Sequence, residues 1–279
     1  MPARRTAFVL GGGGALGACE VGMLRALTEA AVAPDMVLGT SIGAVNGALF
    51  ADDPTVEGVD RLSKLWRGAD SSGVLGFSLL GQISTLVRSR THMQSIDPLR
   101  VRLEEVITAR RIEDLAVSFQ CVAASVERAA EHWFDAGPIA EAVLASSAVP
   151  GILPAVEIDG EHFMDGGLVN SIPVARAVAL GATTIFVLQV GRLEKPLQAP
   201  RWPWEVGLVA FEVARRHRFQ SDMASLPDGV SVHVLPTGGT GAPAFNDLRG
   251  QLRQRNLGGV PGQIESAYEA SRDYLSRMA

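Results

Sequence analysis

The sequence predicts an α/β fold with a mostly parallel central sheet, because two strand–turn–helix units follow one another at its start. The apolar runs Thr6–Leu10 and Met36–Leu38 each end in a turn that contains glycine. Helical segments follow these turns at Gly17–Ala31 and Ile42–Phe50. Strands and helices that alternate in this way are typical of parallel strands whose crossover helices lie on the faces of the sheet.

The rest of the chain continues this mixture of elements. Further strands are predicted at Val117–Ser125, His132–Phe134, Ala155–Ile158, Glu161–Met164, Thr183–Val190 and Val230–Leu235. Further helices are predicted at Val56–Arg67, Asp97–Thr108, Ile139–Ser147, Ile172–Leu180, Glu205–Ser225 and from Asp247 onward. Asp159–Gly160 lies between two of the strands and is a hairpin signal. The chain shows no internal repeat and no long linker, so we predict one three-layer α/β/α domain over residues 6–279.

Composition narrows the functional classes. Hydrophobic residues make up 47% of the 279 residues, as in an ordinary globular protein, and the net charge of −5 argues against nucleic-acid binding. No run of about 18 apolar residues and no signal-peptide core is apparent, so we expect no membrane span. Cys19 and Cys121 lie in apolar segments, which favours two buried thiols over one disulfide. We therefore expect a cytoplasmic protein, with contact at a membrane surface as an option.

The pentapeptide Gly39–Gly43, GTSIG, predicts a nucleophile at Ser41. In a nucleophile elbow, the serine lies on a sharp turn between a strand and a helix, and the flanking glycines remove side chains that would collide there. The following helix directs its N-terminal amides toward the reacting atoms. The alternative is an ordinary turn in which the serine caps the helix.

The glycine-rich loop Gly11–Gly17, GGGGALG, predicts an oxyanion hole. Consecutive glycines allow backbone amides to converge on a negatively charged oxygen. If the first two strands are neighbours, this loop and the elbow open at the same edge of the sheet. The alternative is a dinucleotide-binding turn built on Gly12, Gly14 and Gly17, which we disfavour because the next strand ends without the acid that would hold the ribose.

A nucleophilic serine needs a base, and the residues offer two kinds. The usual α/β-hydrolase order points to a late histidine, His217 or His233. However, His217 lies on the arginine-bearing side of a helix, and His233 lies within a strand. Asp165 follows a strand and precedes Gly166 and Gly167, which leave its carboxyl group approachable. Its alternative role is that of a turn-forming Asp-Gly pair.

Together these motifs resemble the bacterial patatin-like phospholipases. The glycine-rich loop Gly12–Gly17, the G-x-S-x-G elbow Gly39–Gly43 and the D-G-[GA] motif Asp165–Gly167 occur in the order found in that family. The resemblance covers residues 6–190 and weakens after them. It implies a Ser–Asp dyad without histidine.

The resemblance also assigns roles to individual residues. It implies that Ser41 is the nucleophile, that Asp165 is the base, and that the amides of Gly12, Gly13 and Gly14 stabilise the oxyanion. It implies hydrolysis of lipid acyl esters through an acyl-enzyme, with no metal or cofactor. A catalytically weak lipid-binding or scaffold protein, and a thioesterase or acyltransferase, are the alternatives. One position departs from the family: Leu16 stands where many relatives carry Arg or Lys, and the missing cation is expected to weaken the electrostatics or the docking of the loop and so to lower activity.

A lipid substrate requires an apolar groove. Leu75–Val87 and Arg201–Phe211 are candidates for its lining or lid, and Trp202 and Trp204 for contact with a membrane surface. Core packing is the alternative for both stretches. The acidic pair Asp52–Asp53 is interpreted as a solvated turn rather than a calcium loop.

Overall fold

The computed structural model describes residues 5–72, 95–190, 196–239 and 259–278. Its strands are β1 (Thr6–Leu10), β2 (Met36–Thr40), β3 (Ser118–Ser125), β4 (Ala130–Phe134), β5 (Val156–Ile158), β6 (Glu161–Asp165), β7 (Thr184–Leu188) and β8 (Ser231–Val234). Its helices are α1 (Ala18–Glu29), α2 (Ile42–Asp52), α3 (Val56–Ser72), α4 (Asp97–Val106), α5 (Ile139–Ser146), α6 (Val174–Ala179), α7 (Pro203–Ala224) and α8 (Gly259–Ser276). Single 3₁₀ turns occur at Gly14–Gly17, Ile112–Asp114 and Gly166–Leu168.

The strands form one sheet in the order β5-β6-β3-β2-β1-β7-β8, and β4 pairs with β3 beside this path. The strands β3, β2, β1, β7 and β8 are parallel to their neighbours in that series. Strands β4 and β6 run antiparallel to β3, and β5 runs antiparallel to β6. The predicted, mostly parallel sheet is therefore confirmed. Because β1 and β2 are adjacent and parallel, the turns that follow them open at the same edge.

Helices cover both faces of the sheet, as predicted. Successive side chains of a strand point to opposite faces. In β1, Phe8 and Leu10 belong to a buried cluster with α1, α2, α3, α5 and α8. Ala7 and Val9 belong to a second cluster, which includes residues of α6 and α7. The molecule thus has three layers.

The final helix packs closely against the first. A Cβ atom on Gly22 would lie only 2.1 Å from the carbonyl oxygen of Ile264, so the two backbones touch at this glycine. Ile264 and Ala267 of α8 lie in the same buried cluster as Leu24 of α1. Residues well beyond 190 therefore contribute to the main core. The single-domain organisation over 6–279 stays a prediction.

Several local expectations are also settled. Strands β5 and β6 form the predicted hairpin, and Asp159 and Gly160 adopt left-handed φ angles of 52° and 79° at its turn. Cys19 and Cys121 are buried free thiols, as expected. The predicted lid or lining stretch Leu75–Val87 lies outside the described residues. Across the ranges that are described, no helix combines the length and the apolar character that crossing a bilayer requires.

Candidate active site

Ser41 occupies a strained turn between β2 and α2. Its backbone has φ 57° and ψ −123°, a conformation that residues other than glycine rarely adopt. A Cβ atom on Gly39 would lie 2.5 Å from the carbonyl oxygen of Gly43, and one on Gly43 would lie 2.3 Å from that of Leu10. The close approach of backbone to backbone therefore requires glycine at both positions and holds Ser41 at the edge of the sheet.

Two further serines hold the backbone of Ser41. The Ser41 N–H donates a hydrogen bond of 2.9 Å to Oγ of Ser146 at the end of α5. The hydroxyl of the next residue, Ser147, donates to the carbonyl oxygen of Ser41 at 3.2 Å. Both serines are buried. Our sequence reasoning missed them, although two adjacent serines at the end of an apolar helix are a signal for buried hydrogen bonding.

Asp165 lies within hydrogen-bonding distance of Ser41. The Ser41 hydroxyl donates to Oδ2 of Asp165 at 2.5 Å, and the Gly167 N–H donates to Oδ1 at 2.7 Å. The register of the sheet explains this meeting. Thr40 of β2 pairs with Val122 of β3, and Asp165 of β6 pairs with the next residue, Ala123.

Both pairings lie on the same edge of β3, because β4 occupies the opposite edge at those two residues. Strands β2 and β6 therefore approach along one edge from opposite directions and meet end to end. The residue after β2 and the last residue of β6 are brought together by this arrangement. A Cβ atom on Gly166 would lie 2.1 Å from the carbonyl oxygen of Val122, so the chain must turn away from β3 there at a glycine.

Asp165 is buried, with 5% of its surface exposed. Burial raises its pKa to about 6, while hydrogen bonds from Ser41 and Gly167 and the positive charge of Arg215 oppose this rise. The carboxylate is thus more basic than an ordinary aspartate and still largely ionised at neutral pH. Such a pKa suits a group that accepts a proton near pH 7.

The glycine-rich loop lies directly beside the elbow. A Cβ atom on Gly12 would be 3.5 Å from Cβ of Ser41. The Gly11 N–H donates to the carbonyl oxygen of Leu188, and the Gly12 N–H donates to that of Ser171, both at 3.0 Å.

The bond to Ser171 corrects the expectation for Gly12, because its amide is already used within the protein. The amides of Gly13 and Gly14 have no acceptor among the described residues. Gly13 is half-buried and Gly14 is exposed, so both lie on the open side of the loop. Of the three amides predicted to form an oxyanion hole, those of Gly13 and Gly14 are therefore the ones that remain available as donors.

A buried polar network holds the far end of the same loop. The Asn46 side chain donates to the carbonyl oxygen of Gly17 at 3.0 Å and to Oε2 of Glu20 at 2.7 Å. Trp66 donates its indole N–H to Oδ1 of Asn46 at 2.9 Å. Burial raises the pKa of Glu20 well above its ordinary value. These polar side chains were not singled out from the sequence.

Arg215 of α7 reaches the other end of the loop. Its Nη1 donates to the carbonyl oxygen of Gly12 at 2.7 Å and to Oγ of Ser171 at 3.3 Å, and its Nη2 donates to Glu212 at 3.0 Å. Arg215 is 7% exposed and Glu212 is fully buried. The sequence placed the arginines on one side of this helix, but Arg215 is buried whereas Arg218 is exposed. The four-residue spacing of Arg215 from Phe211 and Phe219 is the signal that places it on the inward face.

The two histidines that were considered as bases do not contact Ser41. His217 is exposed on α7. His233 lies in β8, where its ring stacks on Phe186 with centroids 5.1 Å apart. Strands β7 and β1 separate β8 from β2. The hydroxyl of Ser41 instead donates to Asp165.

Residues 8–178 match the family model for patatin-like phospholipase. The chain belongs to the patatin-like phospholipase family. Patatin-like phospholipase domain-containing protein 7 of Mus musculus is 34% identical over 187 residues, which are 66% of this chain and 13% of that protein. Lysophospholipase nte1 of Aspergillus terreus is 31% identical over 191 residues, which are 68% of this chain and 12% of that protein. The chain thus spans only a small part of the curated relatives it matches.

A solved structure, that of VipD from Legionella pneumophila, aligns with a TM-score of 0.49 at 12% identity, over 99% of this chain and 67% of that one. In the patatin-like chain described here, the family match ends within α6. Helix α7, which carries Arg215, lies beyond it.

Other candidate residues of this patatin-like phospholipase have ordinary structural partners. Asp52, the last residue of α2, accepts the N–H groups of Thr108 and Ala109, and Asp53 pairs with Arg61. Both aspartates are partly exposed. The described part of the chain contains no group of three or more His, Cys, Asp or Glu placed to hold a metal ion.

The predicted lid or lining stretch Arg201–Phe211 is exposed near its first residue and packed against the site at its last. A Cβ atom on Gly167 would lie 3.1 Å from Cζ of Phe211, so this ring packs over the turn that carries Asp165. Trp202 is 57% exposed.

Proposed function

We propose that this patatin-like phospholipase hydrolyses acyl ester bonds of lipids through an acyl-enzyme on Ser41, with Asp165 as the base. The observation that carries the proposal is the buried 2.5 Å hydrogen bond from Ser41 Oγ to Asp165 Oδ2. A serine hydroxyl is a weak nucleophile unless an adjacent base accepts its proton. Among the described residues, Asp165 is the group with which that hydroxyl forms a hydrogen bond.

In the acylation step, Ser41 Oγ attacks the ester carbonyl carbon while its proton passes to Asp165. The carbonyl oxygen becomes negatively charged, and the free amides of Gly13 and Gly14 donate hydrogen bonds to it. When the tetrahedral intermediate collapses, the alcohol leaves with the proton from Asp165. Water then attacks the acyl-enzyme while Asp165 accepts its proton. When this second intermediate collapses, Ser41 Oγ takes the proton back from Asp165 and the fatty acid is released.

The lipid substrate class follows from family membership and from relatives whose names include phospholipase and lysophospholipase. Helix α7 offers a surface that suits such a substrate. Val206 and Val213 are 53% and 51% exposed, and their spacing places them on one side of the helix. Trp202, which directly precedes the helix, is 57% exposed. We propose that this side contacts the surface of the lipid aggregate, since tryptophan favours such interfaces.

A panel of acyl substrates tests the proposal. Short and long nitrophenyl esters, phospholipids, lysophospholipids and acyl thioesters are offered to the wild type and to Ser41→Ala, with the exposed Ser231→Ala as a matched control. The wild type and Ser231→Ala should release fatty acid and react with a fluorophosphonate probe, whereas Ser41→Ala should do neither. Equal labelling of wild type and Ser41→Ala would exclude Ser41 as nucleophile. A folded wild type that cleaves no ester and takes up no probe would favour a scaffold role.

A further inference from the structure

Arg215 and Glu212 form a buried ion pair that the reaction scheme above does not use. A buried charge is costly unless it is paired and hydrogen-bonded. Glu212 accepts bonds from Arg215 at 3.0 Å and from Arg216 at 2.9 Å. It therefore holds the Arg215 guanidinium in place and leaves Nη1 directed at the glycine-rich loop. The pair belongs to α7, which the family match does not include.

The bond from Arg215 to the loop acts on one particular peptide unit. Nη1 donates to the carbonyl oxygen of Gly12, and that carbonyl shares its peptide plane with the N–H of Gly13. In a trans peptide the C=O and N–H groups point in opposite directions, and the described chain has no cis peptide bonds. A side chain that fixes the direction of the Gly12 carbonyl therefore also fixes the direction of the Gly13 N–H.

The loop needs such an anchor because glycine provides none of its own. Gly14 has a φ of +60° and no atom within 4 Å of a Cβ position, and the Gly13 amide has no acceptor among the described residues. Gly13 packs against the Val190 side chain, which a Cβ atom would approach to 2.3 Å. Among the described residues, however, the bond from Arg215 is the hydrogen bond that fixes the Gly12–Gly13 peptide, and a glycine backbone can otherwise adopt several conformations. A cation on the carbonyl oxygen also polarises the peptide and strengthens its N–H as a donor.

We propose that Arg215 is a positioning residue of the oxyanion hole, which binds the Gly12 carbonyl and thereby turns the Gly13 N–H toward the ester oxygen at Ser41. This role rests on the proposed hydrolase function. The loop itself carries the uncharged Leu16. The positive charge that acts on the loop comes instead from Arg215, which lies 203 residues after Gly12 in the sequence.

Arg215 also acts on Asp165 through its charge. The groups that face Asp165 are the Ser41 hydroxyl, the Gly167 amide and the Arg215 guanidinium, and those that face Arg215 are Glu212 and, through it, Arg216. The Arg215 charge lowers the pKa of Asp165 against the effect of burial. Removing that charge should therefore shift the acid limb of the pH–rate profile upward.

The test compares Arg215→Met and Arg215→Lys with Arg218→Met, a control on an exposed arginine of the same helix. Loss of one oxyanion-hole donor costs about 10²–10³ in kcat, so a misdirected donor should cost about 10–10². We expect Arg215→Met to lower kcat by this factor with KM nearly unchanged, and to raise the pH of the acid limb. Arg215→Lys should keep the position of the limb and part of the rate. Arg218→Met should match the wild type.

The Gly13 amide resonance in ¹⁵N-labelled protein gives a readout that needs no turnover. It should move in Arg215→Met and stay in place in Arg218→Met. If Arg215→Met fails to fold, the double variant Glu212→Gln/Arg215→Met removes the unbalanced buried charge and is compared in the same way. A folded Arg215 variant with wild-type kcat, acid limb and Gly13 resonance would overturn the assignment. An inactive wild type whose Gly13 resonance still depends on Arg215 would reject the hydrolase function and retain the anchoring role.

Discussion

The two turns that form the candidate site are held in different ways. The elbow at Ser41 is fixed by many contacts with the residues around it: Gly39 and Gly43 touch backbone atoms, and Ser146 and Ser147 bind its N–H and C=O groups. The glycine-rich loop is bound at its two ends. At its centre, Gly13 packs against the Val190 side chain, and the amides of Gly13 and Gly14 have no acceptor among the described residues. One buried guanidinium from α7 reaches the Gly12 carbonyl beside that centre.

The proposed nucleophile and the proposed oxyanion donors are therefore held in position by different contacts. Changes at the elbow should damage the fold and the chemistry together, because the strained backbone depends on close packing. Changes at the loop or at Arg215 should lower the rate while the fold persists.

The largest expected effect is the loss of acylation in Asp165→Asn, a variant that should leave the elbow intact. Asp165→Asn removes the proton acceptor and keeps the size of the side chain, so acylation of Ser41 should slow by about 10²–10⁴. Stability should not fall. A carboxyl whose folded pKa of about 6 exceeds its ordinary 3.8 stabilises the fold fully below the ordinary value and loses that contribution as the pH rises through 6.

The Asn variant should therefore be at least as stable as the wild type at pH 7.5, with any advantage lost below about pH 4. Single-turnover acylation and denaturant unfolding at both pH values measure the two effects. His217→Gln and His233→Gln are the controls and should stay within about tenfold of the wild-type rate, or about 1.4 kcal/mol of barrier. A dead but folded histidine variant beside an active Asp165→Asn would replace the dyad with a triad.

A pair of glycine substitutions contrasts the two turns directly. Gly43→Ala would place Cβ 2.3 Å from the carbonyl oxygen of Leu10, a backbone atom that cannot rotate away. We expect a loss of about 3 kcal/mol in the free energy of unfolding, the upper part of the usual overpacking range. Gly14→Ala has open space around it and only a left-handed φ to overcome, at a cost of about 1–2 kcal/mol. Equal losses in thermal or denaturant unfolding would remove the distinction between the turns.

The last comparison concerns the two serines that hold the elbow, and the smallest effect is expected at Ser147. Ser146→Ala leaves the Ser41 N–H buried without an acceptor, which costs about 1–3 kcal/mol. Ser147→Ala removes a longer bond of 3.2 Å to the Ser41 carbonyl, which also accepts the N–H groups of Ala44 and Val45. It should cost less, since that carbonyl keeps partners. Urea unfolding of both variants checks the order, and a larger loss for Ser147→Ala would contradict the account of the elbow.

Local patterns in the sequence predicted the features that short-range physics determines. The GTSIG elbow, the Asp159–Gly160 hairpin and the first two strand–turn–helix units each depend on neighbouring residues, and the fold class followed from them. The placement of Asp165 beside Ser41 depends on how β2 and β6 share one edge of β3, which no local pattern encodes. At the sequence level, that pairing came from family resemblance rather than from spacing.

Contacts across long stretches of chain were beyond prediction from a single sequence. The use of the Gly12 amide by Ser171 and the bond from Arg215 to Gly12 join residues about 160 and 203 positions apart. The position of Arg215, four residues from both Phe211 and Phe219, was a signal in the sequence that this arginine faces inward. The neighbouring Arg216 and Arg218 obscured it, because a helix with three arginines suggests a solvated side.

The pH dependence of Ser41 acylation tests the central claim, that Asp165 is the base, most directly. The rate of fluorophosphonate labelling is measured from pH 4 to 9 in the wild type, with circular dichroism to verify the fold at each pH. Burial holds the pKa of Asp165 at about 6, so the rate should fall about tenfold per pH unit below that value and level off above it. Asp165→Asn should label slowly and without this limb. A wild-type rate that stays constant down to pH 4, or a limb that persists in Asp165→Asn, would contradict the account.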